Sequence, residues 1–337
     1  MTEHKILILG EAWGEHEERL RTPFVGPSSN ELTRMLTEAG IRRADCYLTN
    51  VFNLRPRPSN DIENLCGPKA DAAPGREPIR AGKYIRAEFA GELQRASDEL
   101  ASIRPNLVVA LGGTAAWFCL GSAGISRIRG TVAQGIHGLK ILPTYHPAAI
   151  LRDWSLRHVT VLDLMKAAKQ QEFPEVRRPS RQIYIEPSLE DMEWFFNEHL
   201  VPAKRISFDI ETAGNQITCI GFAGSISAAL VVPIFDNRKP GNSFWPSFEA
   251  ELLVWNFIRK VLDLPQPKLG QNGLYDIRFL WETYGIPVRN YDDDTMLLHH
   301  ALQPESQKGL GFLGSVYTDE PAWKLMRKKS STIKRDE

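Results

Sequence analysis

Residues 10–26, GEAWGEHEERLRTPFVG, decide the first half of the fold. The apolar run before them, residues 5–9 (KILIL), predicts the first strand of an α/β sheet. Residues 28–30 (SSN) predict the start of a helix with a serine or asparagine N-cap. The loop between them lies at the carboxyl end of a strand, where open α/β sheets place their ligands. A purely structural loop is the alternative, but closely spaced glycines, four acidic side chains and Phe24 favour a functional one.

The composition is that of an ordinary globular protein. The chain has 337 residues, enough for two domains. Lys plus Arg equals Asp plus Glu at 41 each, so any nucleic-acid site must be a local patch. The four cysteines form no CxxC pair, which argues against a zinc or iron–sulfur knuckle and against a disulfide scaffold. We find neither a signal peptide nor a membrane-spanning apolar run, and we expect a soluble, cytoplasmic protein without a membrane partner.

Strand-like and helix-like segments alternate through the first half. The predicted strands, after the first, are residues 46–50, 106–111 and 140–142, and the predicted helices are residues 83–103, 114–120 and 159–169. Repeated βα units imply a mostly parallel sheet covered on both faces. Residues 55–80 lack periodicity and are rich in turn-forming residues, so they form either a functional insertion or a flexible flap. A segment rich in proline and arginine predicts a linker at 172–182 after a first domain at 1–171.

The pattern restarts in a second domain, expected at 183–337. An amphipathic helix is predicted at 188–200, strands at 205–210, 216–222 and 228–234, and helices at 248–262, 274–284 and 295–302. Three closely spaced strands indicate an antiparallel meander. A sheet followed by helices predicts a second α/β domain with a different topology from the first.

Four pieces at strand ends of the first domain are expected to converge: residues 10–26, 49–50, 112–114 and 143–147. They supply a carboxylate, an amide that can read a base edge, an aromatic ring and His146. Cleavage of an N-glycosidic bond calls for this set, because the carboxylate orients water and a histidine donates to the departing base. The aromatic ring and the amide would hold the flipped base. By itself, His146 would more often be a capping or packed histidine.

The pieces GEAWGEHEERLRTPFVG, LTN, VVALGGTAA and LPTYHPAAILR resemble the signature motifs of the uracil-DNA glycosylase superfamily, closest to its family 4 branch. The resemblance covers nearly all of residues 1–170 in family order and implies a three-layer α/β/α fold. By motif position, it implies that Glu11 positions the hydrolytic water and that His146 stabilises the leaving uracil anion. The remaining base- or DNA-binding residues that it implies are Gly10, Gly14, Glu17, Phe24 and Asn50. Phe24 would stack on uracil and Asn50 would read its polar edge.

The chain departs from the family 4 pattern at two places, and it also lacks a feature of another branch of the superfamily. Trp13 stands where the first motif usually has proline. Family 4 enzymes generally hold an iron–sulfur cluster on four cysteines, and here Leu54 stands where one ligand would be, so we expect no cluster. The covalent, uracil-trapping branch has a basic loop with a histidine. Residues 55–86 contain no histidine, so that chemistry is not expected.

A carboxylate set ends a predicted strand of the second domain. Asp209 and Glu211 lie two apart, so they project to the same side of the strand. Solvated strand ends often carry this D-x-E pattern, but Asp276 adds a third carboxylate at a helix start. Carboxylates brought together repel one another unless a cation lies between them. Three of them suit two-metal phosphodiester hydrolysis.

The pieces ISFDIET, GQNGLYDIRFL and DTMLLHHAL resemble the DnaQ-like 3′–5′ exonucleases, specifically the proofreading domain of family A DNA polymerases, over about residues 200–337. The resemblance implies an RNase H-like α/β fold with Asp209, Glu211 and Asp276 as catalytic metal ligands for Mg²⁺ or Mn²⁺. Asp294 matches a position that is usually structural, and we interpret it as a helix cap. His299 and His300 are expected to lie on one helix, one packed and one exposed.

The family's third motif is not clearly present. Asp336 has a suitable spacing from Thr332, but threonine replaces the expected tyrosine, and we leave Asp336 out of the site. Six basic residues within 324–335 either contact DNA phosphates or form a solvated tail.

These features predict a two-domain DNA-processing protein resembling the front part of phage polymerases that carry both modules. Its partners would be uracil-containing DNA and single-stranded 3′ ends, in a bacterial or phage-infected cell. The alternative is a non-catalytic accessory subunit that docks DNA for a separately encoded polymerase. A nucleotide-binding enzyme based on the turn at residues 112–113 is weakly supported, because that turn lacks a phosphate-loop lysine.

Overall fold

The computed structural model describes residues 4–321. Within these residues it divides into two compact units: 4–177 with 311–321, and Arg178–Leu310. The sequence assigned all of 183–337 to the second domain, whereas the structure groups residues 311–321 of that range with the first unit.

The first unit is built on a five-stranded sheet and a small two-stranded ribbon. Its strands in chain order are β1 (Ile6–Ala12), β2 (Cys46–Phe52), β3 (Cys66–Gly67), β4 (Tyr84–Ile85), β5 (Leu107–Leu111), β6 (Ala133–Gln134) and β7 (Lys140–Thr144). The main sheet has the order β2-β1-β5-β7-β6. All of its neighbouring pairs are parallel except β6 with β7, which confirms the predicted mostly parallel sheet.

Helices cover both faces of this sheet. They are α1 (Glu15–Leu20), α2 (Pro27–Glu38), α3 (Ala90–Ile103), α4 (Gly112–Leu120), α5 (Ile125–Ile128), α6 (Pro147–Arg152) and α7 (Leu156–Gln170). Successive residues of β1 alternate between two cores, since Ile6 and Ile8 pack in one and Leu7 and Leu9 in the other. Helices α2, α6 and α7 contribute to the first core, and α3 and α4 to the second. The unit is a three-layer α/β/α domain, as expected.

Two local predictions in this unit are wrong. The helix expected from residue 83 begins at Ala90, because β4 and a 3₁₀ turn at Ala87–Phe89 precede it. Helix α2 is capped by Gly26 rather than by a serine or asparagine, since Pro27 occupies its first turn. Residues 55–80, for which the sequence left open an insertion or a flap, contain short elements of their own, and Ile62, Leu65 and Ile79 are buried in the second core.

The second unit contains a six-stranded mixed sheet. Its strands are β8 (Gln182–Ile185), β9 (Ile206–Ala213), β10 (Gln216–Ala223), β11 (Ala228–Pro233), β12 (Lys268–Gly270) and β13 (Tyr291–Asp294), in the order β13-β12-β9-β10-β11-β8. Strands β9, β10 and β11 form the predicted antiparallel meander. Strands β12 and β13 add to β9 in parallel, and β8 adds to β11 in parallel.

The helices of the second unit are α8 (Leu189–Phe195), α9 (Phe248–Asp263), α10 (Leu274–Tyr284) and α11 (Thr295–Leu302), and α12 (Leu310–Tyr317) follows them. Predicted helices 274–284 and 295–302 coincide with α10 and α11. This combination of an antiparallel meander with parallel flanking strands and helices agrees with the expected RNase H-like α/β fold. Among the described helices, none is both long enough and apolar enough to cross a membrane.

Candidate active sites

The carboxyl ends of the parallel strands bring the predicted residues of the first unit together. Gly10 near the end of β1 is paired in register with Asn50 of β2. Gly112 follows β5, and His146 follows β7 by two residues. A Cβ on Gly112 would lie 3.1 Å from the Cβ of His146. These strands are neighbours in the sheet, so one edge carries all four positions.

Gly10 provides space for an amide and an aromatic ring. A Cβ on Gly10 would overlap the Asn50 side-chain oxygen and would lie 2.7 Å from Cζ of Phe24. Asn50 and Phe24 are both buried. The Phe24 ring is also roughly parallel to the His146 imidazole, with ring centroids 6.5 Å apart and an interplanar angle of 24°. An amide, an aromatic face and an imidazole therefore border one small volume.

The backbone at Phe24 is held in an unusual conformation. Its φ is +55°, in the left-handed region that non-glycine residues rarely adopt. Arg43 donates from Nη2 to the Phe24 carbonyl oxygen over 2.7 Å, and the Ser29 hydroxyl donates to the same oxygen. These contacts fix the backbone that carries the Phe24 ring. Strain retained in this way is typical of a functional position.

Glu17 organises the loop from the inside. Its Oε1 accepts hydrogen bonds from the amides of Val25 (3.0 Å) and Gly26 (2.7 Å), and its Oε2 accepts from the Gly14 amide (3.1 Å). A Cβ on Gly14 would lie 2.7 Å from Glu17 Oε2, so this close approach needs glycine. The sequence placed Glu17 and Gly14 among base- or DNA-binding residues. In the structure they contact each other and shape the loop that carries Phe24.

Glu11 lies at the end of β1, beside helix α4. Its Oε2 accepts a hydrogen bond from the Thr114 hydroxyl. Burial raises the pKa of Glu11, while the Thr114 hydrogen bond and the Arg80 charge oppose the rise. A carboxylate with a raised pKa and an anchored oxygen can orient a water molecule and accept its proton.

His146 is the N-cap of helix α6, because its Nδ1 accepts a hydrogen bond from the Ala148 amide at 3.1 Å. Burial and the Arg152 charge lower its pKa to about 4. The imidazole is therefore neutral near pH 7, and because Nδ1 accepts, the proton resides on Nε2. That N–H group is the donor available to a base oxygen. The capping role expected for a lone histidine therefore falls to Nδ1, and the Nε2–H group is left for the functional interpretation.

Sequence reasoning missed the supporting residues Ser29 and Arg43, and it included Thr114 only as part of the converging piece 112–114, without a role. Each acts on a predicted residue through one hydrogen bond. Ser29 and Arg43 lie in α2 and in a 3₁₀ turn beyond it, and no local pattern marks them as partners of Phe24. Thr114 directly follows the glycine pair of a motif that was singled out, and its position in the first turn of the helix after β5 was the available signal.

The cysteines do not fit a four-cysteine cluster. Cys46 belongs to one core of the first unit and Cys119 to the core across the sheet. Cys66 packs against the second of these cores, and Cys219 lies in the other unit. Burial raises the pKa of Cys46 to about 11 and that of Cys119 to about 12, whereas metal ligands must be thiolates. The expectation that the chain holds no cluster stays a prediction.

In the second unit, Asp209 and Glu211 project from the exposed face of β9, while Phe208 and Ile210 between and beside them are buried. Buried Asp276 approaches the same strand from helix α10, and its Oδ1 accepts a hydrogen bond from the Ile210 amide at 3.1 Å. The alternation predicted for the strand is confirmed, and the third carboxylate is hydrogen-bonded to the backbone of the residue that separates the first two in sequence.

The negative charges of these carboxylates repel one another. Burial raises the pKa of Asp276 to about 6, with a further contribution from the Asp209 charge. Partial desolvation and the Glu211 charge raise the pKa of Asp209. Across residues 4–321, no three His, Cys, Asp or Glu side chains are gathered closely enough to hold a metal ion. The three carboxylates are therefore not a closed ligand set, but their oxygen donors and mutual repulsion fit a divalent cation.

Asp294 supports the turn that leads to Asp276. Its carboxylate accepts hydrogen bonds from the amides of Asn272 (3.1 Å) and Gly273 (2.9 Å) and from the Met296 amide at 2.8 Å. Asp294 is the N-cap of α11, which agrees with the predicted capping role. The contact with the turn before α10 was not foreseen. On α11, His299 is buried and His300 is exposed, as predicted, whereas Thr332, Asp336 and the basic segment 324–335 lie outside the described residues.

Known proteins match the first unit. The family described as the uracil DNA glycosylase superfamily matches residues 2–172, so the chain belongs to this superfamily. Within it, the chain is similar to the type-4 uracil-DNA glycosylase of Thermotoga maritima, with 34% identity over 167 residues that cover 48% of this chain and 76% of that protein. The type-4 enzyme of Archaeoglobus fulgidus is 35% identical over 170 residues, with coverage of 48% and 74%.

Solved structures give a fainter likeness. The Nibbler exonuclease domain of Aedes aegypti has 15% identity and a TM-score of 0.31, covering 42% of this chain and 72% of that one. Escherichia coli RNase D has 13% identity and a TM-score of 0.29, covering 41% of this chain and 33% of that one. A likeness at this level does not bear on activity.

Proposed function

We propose that the first unit is a uracil-DNA glycosylase that cleaves the N-glycosidic bond between uracil and deoxyribose. The observation that carries this proposal is that the side chains of Asn50 and Phe24 both pack against the backbone of Gly10, which has no side chain to displace them. The pair offers a stacking face and an amide for a flipped base. Superfamily membership and the similar type-4 enzymes of two organisms support uracil as the base.

Each residue has a defined role in this reaction. Phe24 stacks on the extruded uracil and Asn50 hydrogen-bonds to its polar edge. Neutral His146 donates from Nε2 to the uracil oxygen on which negative charge develops as the bond breaks. Glu11, held by Thr114, orients water toward the sugar carbon and steadies the positive charge on the sugar. Uracil leaves as the base, and the DNA keeps an abasic site.

The test is one end-labelled, single-stranded oligonucleotide with a single uracil, incubated with the protein in EDTA and then treated with alkali. Cleavage at the uracil is expected for the wild-type chain. The His146→Ala variant is expected to lose this cleavage, because the donor to the leaving base is gone. An undiminished product in His146→Ala would show that the site is wrong.

A second activity, 3′–5′ hydrolysis of DNA ends, is proposed for the second unit on the basis of its three carboxylates. Asp209, Glu211 and Asp276 would hold Mg²⁺ or Mn²⁺. Such ions, when bound, activate water and stabilise the leaving oxygen. Asp294 keeps the turn before Asp276 in place. A proofreading role and a relation to family A polymerases of phages are parts of this proposal.

The nuclease test uses the same oligonucleotide with magnesium in place of EDTA. A ladder that shortens from the 3′ end is expected, and the Asp209→Ala variant is expected to lose it. If Asp209→Ala degrades DNA like the wild type, the exonuclease assignment fails. DNA binding without either product would instead support the accessory-subunit alternative.

A further inference from the structure

Helix α12 follows the second unit in sequence but, from Gly311 onward, belongs to the first. Its Leu313, Gly314 and Ser315 are buried. Nothing in the sequence of residues 311–321 resembles a glycosylase motif. The contacts of this segment nevertheless lead toward the strand end that carries His146.

Arg129 makes the first link. Its side chain is 3% exposed and donates from Nη1 to the Ser315 hydroxyl at 2.9 Å. Its guanidinium carbon lies 5.3 Å from the centroid of the Phe312 ring, within cation–π range. The same guanidinium donates from Nε to Oδ2 of Asp163 at 2.9 Å and from Nη2 to Oδ1. Arg129 therefore connects α12 directly to α7.

Lys166, one turn after Asp163, makes a second link. Its ammonium donates to the carbonyl oxygens of Gly130 (2.8 Å), Ser315 and Thr318 (2.7 Å). Burial lowers the pKa of Lys166 to about 8. Two of its acceptors belong to the returning segment. Loss of its acceptors would leave this partly buried ammonium without hydrogen-bond partners, which is destabilising, so these contacts fix residues 315–318 to α7.

Asp163 links Arg129 to the strand that precedes His146. Its Oδ2 also accepts a hydrogen bond from the Thr144 hydroxyl at 2.6 Å. Thr144 is the last residue of β7, has no exposed surface and precedes His146 by two residues. The Gly130 amide donates to Pro143 of the same strand at 2.8 Å, and a Cβ on Gly130 would overlap Asp163. The end of β7 is thus held by two hydrogen bonds, one to Asp163 and one from Gly130. Asp163 binds Arg129 and Gly130 binds Lys166, the two cations that also contact Ser315.

We propose that helix α12 is a positioning element of the uracil-excision site. Phe312 and Ser315 hold Arg129, which acts through Asp163 and Thr144 to keep the strand end in place for His146. These residues do not touch the base. The proposal rests on the proposed glycosylase function.

The test uses the full 337-residue chain with Ser315→Val, which removes the hydroxyl that Arg129 meets, and Phe312→Leu, which removes the ring. Leu310→Ala, at the exposed start of the same helix, is the control. We would measure single-turnover uracil release, affinity for uracil-containing DNA, magnesium-dependent shortening and the imidazole NMR signal of His146. In both variants we expect release to slow by about tenfold through displacement of His146 and its signal to shift. Affinity and shortening are expected to stay at wild-type values, as all properties of Leu310→Ala should.

Unchanged release and an unchanged His146 signal in both variants would overturn the proposal. If Ser315→Val unfolds, the comparison of Ser315→Thr with Phe312→Leu decides. Ser315→Thr keeps the hydroxyl and should release uracil at the wild-type rate. Phe312→Leu should release it about tenfold more slowly. Equal release from these two folded variants would count against the positioning role. If the wild-type chain releases no uracil, the glycosylase proposal fails, and the His146 signal alone then decides whether α12 acts on the strand end.

Discussion

A Cβ placed on Gly10 would overlap the side-chain oxygen of Asn50, its partner across strands β1 and β2. The backbone of Gly10 is not left-handed, so the requirement for glycine here is one of space and not of conformation. The same Cβ would crowd Phe24, whose ring lies beside His146. The absence of a side chain at Gly10 thus allows Asn50 and Phe24 to pack closely against its backbone.

Replacing Gly10 with alanine is therefore expected to displace Asn50, Phe24 or both. Uracil release should fall by about 100-fold, the loss typical of a misplacement of about 1 Å in an active site. Single-turnover release from uracil-containing DNA measures the effect. Gly91→Ala in helix α3 is the control, because a Cβ there meets nothing within 4 Å. A helical glycine-to-alanine change should leave release unchanged and raise stability by about 0.5–1 kcal/mol. Equal activity in Gly10→Ala and Gly91→Ala would refute this interpretation.

The pH dependence of uracil release should reflect a neutral His146. Since its pKa is lowered from 6.5 to about 4, its protonation state does not change between pH 8 and pH 6. Loss of activity through protonation of His146 is expected only as the pH approaches 4. His146→Ala should lose about 10²–10³-fold in rate, as for removal of one donor to a developing oxyanion. A wild-type rate of uracil release that changes with a pKa near 6.5 would contradict a neutral donor, if that pKa is absent from the profile of His146→Ala.

Stability should depend on the same group. A histidine whose pKa is lower in the folded state than in the unfolded state favours folding above the unfolded pKa, and this contribution is lost as the pH falls from 6.5 to about 4. The loss is at most about 3 kcal/mol at full effect. Thermal melts of the wild type and His146→Gln across this window provide the measurement. The variant is expected to lose less stability than the wild type, and parallel curves would argue against a lowered pKa.

Glu17 is predicted to hold the Phe24 loop rather than the DNA. In wild-type Glu17, the two carboxylate oxygens accept from the amides of Gly14, Val25 and Gly26. In Glu17→Gln, one of these oxygens becomes an NH₂ group, which donates and cannot accept. We expect a stability loss of about 1–3 kcal/mol, because a buried amide is left without an acceptor. Uracil release should slow as Phe24 moves. Glu15→Gln, at an exposed position in the same helix, is the matched control. Weaker DNA binding at unchanged stability would instead favour a direct DNA contact.

Much of both folds follows from local sequence patterns. The continuous apolar runs of β1 and β5 predict strands that are buried on both faces, as they are in the structure. The alternation of β9 predicts a strand with one buried face, because burial there has the period of a strand. The start of α3 was misjudged because Tyr84 and Ile85 pair with the distant residues 66–67, an interaction that helical periodicity does not reveal.

The site residues were predictable where a motif carries them and not where the tertiary fold supplies them. Glu11 and Asn50 lie near the carboxyl ends of strands and His146 follows one, and the chemistry of their side chains indicates a role. Arg43 is recognisable only once the Phe24 carbonyl is seen to point at it. The same is true of Ser315, which meets Arg129 across 186 residues of chain.

The second unit allows one decisive substitution, Asp276→Asn. The change keeps the size of the side chain and removes a buried charge that repels Asp209. In EDTA above pH 6, we expect the variant to be at least as stable as the wild type, because an aspartate whose pKa is raised to about 6 disfavours folding once it is ionised. Magnesium should raise the melting temperature of the wild type but not that of the variant, since a ligand stabilises only the state that binds it.

Asp276→Asn should also lose magnesium-dependent shortening of DNA while it keeps uracil release in EDTA, because the two sites lie in different units. Glu305→Gln, an exposed acidic position in the same unit, is the control and should match the wild type in every assay. Retained shortening in Asp276→Asn would exclude Asp276 as a metal ligand. Lost shortening together with an unchanged magnesium effect on melting would place the cation on other residues and leave Asp276 a structural role through the Ile210 amide.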